Sequence, residues 1–122
     1  MEKWICHSFW TKPMKNSEAN ANLCKISVYC AHESGYRVRM HTDSLGKELL
    51  KNAGYDEIIT DLDSIPEDIP STFFAYSKYI ALKNEPLGVI HTDFDVFLKK
   101  PVLDEFFENT DFDLILQCRE TI

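Results

Sequence analysis

The chain has 122 residues, 44% of them hydrophobic and 27% charged, with 13 basic and 20 acidic side chains and a net charge of −7. That composition excludes wholesale disorder, and no apolar run approaches the ~18 residues a spanning helix needs. The acidic balance argues against general nucleic-acid binding, which requires a positive footprint.

Residues 1–8 mix apolar and polar side chains and read as a first strand, entering a loop marked by Pro13. A helix is predicted from about Ala19 to Glu33, with Leu23, Ile26 and Cys30 on its apolar face and Gly35 just past its end. Arg37–Thr42 alternates as a strand. Asp43 and Ser44 then begin a second helix carrying Leu45, Leu49 and Leu50, which Gly54 stops. Glu57–Thr60 is a third strand, and Asp61–Pro70 a loop with two prolines. A third helix is expected over about Ser71–Asn84. It is apolar almost all the way round, which implies burial on more than one side. Leu87–His91 is an uninterrupted apolar strand of the kind found at a sheet centre. A short helix over Pro101–Glu108 and a last strand over Leu114–Cys118 complete the pattern. Strands alternating with helices predict a single α/β domain over residues 1–122: a mostly parallel, Rossmann-like sheet with helices on both faces.

The four cysteines, Cys6, Cys24, Cys30 and Cys118, form no CxxC pair and read as reduced, buried thiols. With no apolar leader at the N-terminus, the expected compartment is the cytoplasm. The four histidines are not at metal-ligand spacing.

In open parallel sheets, ligands bind beyond the carboxyl ends of the strands. That rule sorts three Asp-x-Asp triplets. Asp93-Phe94-Asp95 directly follows the buried fourth strand. Residues i and i+2 of an extended segment point the same way, ~6.6 Å apart along the chain. Two carboxylates aimed outward, with Phe94 between them facing inward, make a hard-cation site suited to Mg²⁺ or Mn²⁺ and phosphate oxygens. Val96, Phe97 and Leu98 are expected to return to the core and anchor it. Asp111 and Asp113 precede their strand and read as turn chemistry. Asp61 and Asp63 open an acidic, Pro-rich loop and read as solvated residues.

Asp43 has two open roles: capping the second helix, or bonding a base or ribose in the same crevice. Lys78, on the apolar third helix, needs an anion such as phosphate or must snorkel to water.

The run Tyr76-Ser77-Lys78-Tyr79-Ile80-Ala81-Leu82, followed by Val89 to Asp95 and by Val96-Phe97-Leu98-Lys99-Lys100-Pro101, resembles GT-A glycosyltransferases with a DXD-containing sugar-binding region. His7-Ser8-Phe9-Trp10, Gly35-Tyr36-Arg37-Val38 and Thr42-Asp43 with Gly46 are similar to bacterial members of that group. The resemblance implies a nucleotide diphosphate sugar bound through Mn²⁺ or Mg²⁺. It makes Asp95 the direct ligand and puts Asp93 on the metal shell or ribose. Lys78 falls to phosphate, and His7, Trp10 and Asp43 lie near base and ribose. Ala75 stands where such proteins often carry an acidic residue. Their chains also continue past the strand that follows the DXD, so this one reads as the donor-binding part, with acceptor and catalytic groups unassigned. Two other readings remain. One is a non-catalytic nucleotide-sugar binding module. The other is a haloacid dehalogenase-type phosphotransferase with Asp93 as nucleophile. The sheet edge beyond the last strand is a place for a second copy of the chain to pair.

Overall fold

A computed structural model describes residues 2–14 and 17–108. The strand expected over Leu114–Cys118 and the Asp111/Asp113 triplet lie outside them. In chain order the elements are β1 (Trp4–Phe9), α1 (Ser17–Glu33), β2 (Arg37–Thr42), α2 (Ser44–Leu50), β3 (Glu57–Ile59), a 3₁₀ turn (Asp61–Ser64), α3 (Tyr76–Lys83), β4 (Ile90–His91) and α4 (Asp104–Glu108).

The four strands form one parallel sheet in the order β3-β2-β1-β4. Each strand therefore needs a crossover, and the intervening helices supply it. The chain steps outward from β1 to β3 and then returns across β1 to place β4 on the other side. The order reverses between β1 and β4, and in such sheets this is where a crevice opens.

Strand register fixes which side chains share a face. Ile5 is opposite Val38 and Ile90, and His7 is opposite Met40. This face meets α1 and α2 through Ile5, Val28, Ala31, Tyr36 and Val38, and through Phe9, Cys24, Met40 and Leu50. The other face presents Cys6 opposite Arg39 and His91, and Ser8 opposite His41. It is polar and lies under α3. Helices thus cover both faces, as the strand–helix alternation predicts.

Several expectations shift in detail. The buried stripe of α1 is Cys24, Ser27, Val28 and Ala31, whereas Ile26 is 48% exposed. Small residues let this helix approach the sheet closely, which turns the expected Leu23–Ile26–Cys30 face aside. The third helix starts only at Tyr76, because successive turns close from Phe73 N to Pro70 O and from Tyr76 N to Phe73 O. It buries one face, through Ser77, Ile80 and Ala81, while Phe73, Phe74, Tyr79 and Leu82 are exposed. The polar sheet beneath it offers little apolar surface, so Phe73, Phe74 and Tyr79 stay outside, while Tyr76 packs on the cluster of Trp10, Leu62 and Ile80. The fourth strand begins at Ile90 rather than Leu87, because Gly88 turns the chain with φ +94°. Among the described residues, no helix is long and apolar enough to cross a membrane.

Candidate functional site at the β1–β4 crevice

The carboxyl ends of β1 and β4 lie side by side. Pairing continues one step past β4, where Thr92 N donates to Cys6 O at 3.0 Å. The chain then leaves the sheet in a tight turn closed by Val96 N to Asp93 O at 3.0 Å. Phe94 drops into the core and packs on Phe9, with ring centroids 5.4 Å apart. Asp93 and Asp95 stay exposed on either side of it. Phe94 lies inward between two carboxylates, but Phe94 and Asp95 form a turn rather than the extended segment the triplet predicts, because the chain bends away from the sheet here.

The second anchor differs from expectation. Val96 and Phe97 are each 39% exposed, and Leu98 alone of the three packs against the core. The loop is held through its backbone instead, by Ser27 Oγ donating to Val96 O at 2.7 Å.

Ser8, Trp10, Phe74, Lys78, Asp93 and Asp95 all line a cleft of about 270 Å³. That is close to the lower end of the ~300–1,000 Å³ typical of small-molecule sites. Trp10 is buried against Leu62 and Ile80 and offers the cleft little of its ring. Lys78 reaches across the mouth, its Nζ 2.8 Å from Asp93 Oδ1. Both side chains are about half exposed, so this pair adds little stability. Among the described residues, no ion pair or side-chain hydrogen bond engages Asp95. Behind the cleft, Ser8 Oγ and His91 Nε2 are 3.0 Å apart. Burial pushes His91 down to about 4, so it is neutral near pH 7.

Four of the residues singled out in the sequence therefore meet at one cleft: Trp10, Lys78, Asp93 and Asp95. The other two lie behind it. Asp43 caps α2, with Oδ1 accepting from Gly46 N at 2.8 Å. Its Oδ2 accepts from Thr11 N at 3.1 Å and Thr11 Oγ1 at 2.7 Å, which fixes the turn carrying Trp10. His7 is wholly buried on the α1 face, away from the crevice. Burial pushes it down to about 3, so the ring is neutral. Its Nδ1 accepts from Tyr55 Oη at 2.7 Å, and its Nε2 lies 3.4 Å from Ser27 Oγ. His7 thus supports from beneath the serine that holds the Asp-x-Asp loop.

A family model described as a family of unknown function, DUF6734, matches residues 3–121. The chain belongs to that family. No curated protein and no solved structure matches it significantly.

This DUF6734 chain also carries a polar cluster that its sequence did not signal. Under α3, His41 Nδ1 bonds Asp61 Oδ2 at 2.6 Å and His41 Nε2 bonds Glu85 Oε2. Arg39 Nη1 donates to Glu85 Oε1 at 2.5 Å, and Asn84 Nδ2 to Asp61 Oδ2 at 2.9 Å. Burial opposes charge on His41, but the hydrogen bonds to Asp61 and Glu85 outweigh it and raise its pKa. The neighbouring Cys6 thiol is pushed up to about 12 by burial. These residues are widely separated in sequence, and only strand register and the α3 crossover bring them together.

Proposed function

We propose that the β1–β4 cleft is the donor site of a metal-dependent glycosyltransferase, binding the diphosphate of a nucleotide diphosphate sugar. The observation that carries this reading is the meeting of Lys78, Asp93 and Asp95 at the carboxyl-end switch point of a parallel sheet. The donor set fits a hard divalent cation. Asp95 offers a free carboxylate, and Asp93 offers the oxygen that Lys78 does not hold. When bound, Mn²⁺ or Mg²⁺ supplies positive charge against the diphosphate leaving group.

The chain's own residues divide the remaining work. Asp95 is the principal metal ligand. Lys78 exchanges its partner Asp93 for a phosphate oxygen, which frees Asp93 for the metal shell. Trp10, buried against Leu62 and Ile80, supports one wall of the cleft from behind. Asp43 and His7 act as positioning residues, the first through the Thr11 turn and the second through Ser27.

A second reading is a binding module without transfer activity. It draws on the cleft's inventory: among the described residues, its only carboxylates are Asp93 and Asp95, both committed to the cation.

The deciding experiment is a thermal-shift panel of UDP, GDP and their sugars, with and without Mn²⁺. Stabilisation of about 2.7 kcal/mol is expected at roughly 100 times Kd, dependent on metal and lost in Asp95→Ala. Slow hydrolysis of the nucleotide sugar favours the transferase over the module. If no nucleoside diphosphate shifts the transition, both readings fail.

A further inference from the structure

The geometry points to a second metal site, built from Cys6, His41 and Glu85, that ties the end of α3 to the sheet and takes a zinc-like divalent ion. One donor atom from each residue lies within 4.8 Å of the other two. The three come from β1, from β2 and from the residue after the C-cap of α3. All are nearly sealed from solvent: Cys6 and His41 are fully buried and the Glu85 side chain is 3% exposed.

The donor chemistry selects the ion. A thiolate, an imidazole and a carboxylate suit Zn²⁺ and other borderline metals, whereas Mg²⁺ and Ca²⁺ prefer oxygen alone. The surroundings already have the form of a metal shell. His41 Nδ1 is held by Asp61, which leaves Nε2 aimed at Glu85. A carboxylate on the far ring nitrogen is the usual way a metal-binding histidine is oriented. Arg39 likewise holds Oε1 of Glu85 and leaves Oε2 turned toward His41.

Loading a divalent cation displaces two protons, that of the Cys6 thiol and the one His41 Nε2 shares with Glu85, so the net charge of the cluster is unchanged. The sealed position assigns a structural role, separate from the oxygen-only pair Asp93 and Asp95.

Cobalt titration of the chelator-treated full chain tests this, because Co²⁺ bound to sulfur gives a near-ultraviolet thiolate-to-metal charge-transfer band and oxygen-only sites do not. The band is expected in the wild type and in Asp95→Ala, and is lost in Cys6→Ser. Asp61→Asn keeps the band but lowers cobalt affinity by about 10- to 100-fold. Glu85→Gln, outside the regular elements, also weakens binding and serves where Cys6→Ser does not fold. The proposal is overturned if the wild type shows no such band, if the band survives Cys6→Ser, or if Glu85→Gln leaves affinity unchanged.

Discussion

Ser27, on the buried stripe of α1, donates its hydroxyl to the carbonyl of Val96 at 2.7 Å. This one bond connects a helix on the apolar side of the sheet to the loop that presents Asp93 and Asp95. Val96 is the residue immediately after the pair, so its carbonyl sets where the turn ends. Ser27→Ala leaves that carbonyl without its donor, at a cost of about 1–2 kcal/mol in folding stability. The larger effect is expected on function, because the loop then keeps only its side-chain anchors, Phe94 and Leu98. Mn²⁺-dependent stabilisation by a nucleoside diphosphate should fall several-fold. An unchanged nucleotide response in a destabilised variant would confine Ser27 to packing.

Lys78 and Asp93 give a prediction with opposite signs for two ligands. Their bridge is half exposed, so Lys78→Met should change stability by under ~1 kcal/mol. Removing the ammonium also frees Asp93 and makes the site more negative. Mn²⁺ alone should then bind more tightly, and the nucleoside diphosphate more weakly. Isothermal titration of each ligand separately measures both. Weaker binding of both ligands would mean that Lys78 serves the loop's structure rather than the phosphate.

The candidate cleft was more legible in the sequence than the elements around it. Asp93 and Asp95 could be placed because they follow an apolar strand, and the carboxyl-end rule depends only on chain order and parallel pairing. Lys78 and Trp10 came with them through motif resemblance. The bounds of α3 and β4 were not legible. Apolar content continues through Phe73–Phe74 and Leu87, while the turns at Pro70 and Gly88 decide where each element begins. His7 shares β1 with residues facing the other way, and only the alternation of the pleat directs it into the core. Cys6, His41 and Glu85 were invisible as a group, because no local spacing links residues from two strands and a helix end. Register puts Cys6 and His41 on one face, and the crossover of α3 brings Glu85 over them.

Gly46 shows how closely α2 approaches β2. A Cβ at this position would lie 1.9 Å from Thr42 Oγ1. Thr42 cannot yield easily, because it is fully buried and its hydroxyl donates to Phe9 O at 2.6 Å. Gly46→Ala should therefore destabilise the fold by about 1–3 kcal/mol, despite the better helix propensity of alanine. Urea denaturation measures the loss. The double variant Gly46→Ala, Thr42→Ala relieves the clash but removes the bond to Phe9, so it should recover only part of the stability. Full stability in the single variant would contradict the close approach.

Asp56 sets the acid limit at the opposite end of the sheet. Its Oδ2 accepts from Val38 N at 2.8 Å and from His32 Nε2 at 2.7 Å, joining the end of α1, β2 and the start of β3. Partial burial favours the neutral acid, but the bond from Val38 N and the contacts with His32 and Arg37 outweigh it and lower the pKa below its ordinary 3.8. The unfolded chain therefore binds the proton more readily than the folded one. The stabilisation is fully present above about pH 4 and is lost as pH falls through the lower folded value. Asp56→Asn should cost about 1–2 kcal/mol at neutral pH, because a charged acceptor of two hydrogen bonds becomes a neutral one. The gap between wild type and variant, followed by urea midpoints on acidification, should hold steady down to about pH 4 and narrow below it. A gap that stays constant into strong acid would show that packing, and not the carboxylate charge, holds this junction.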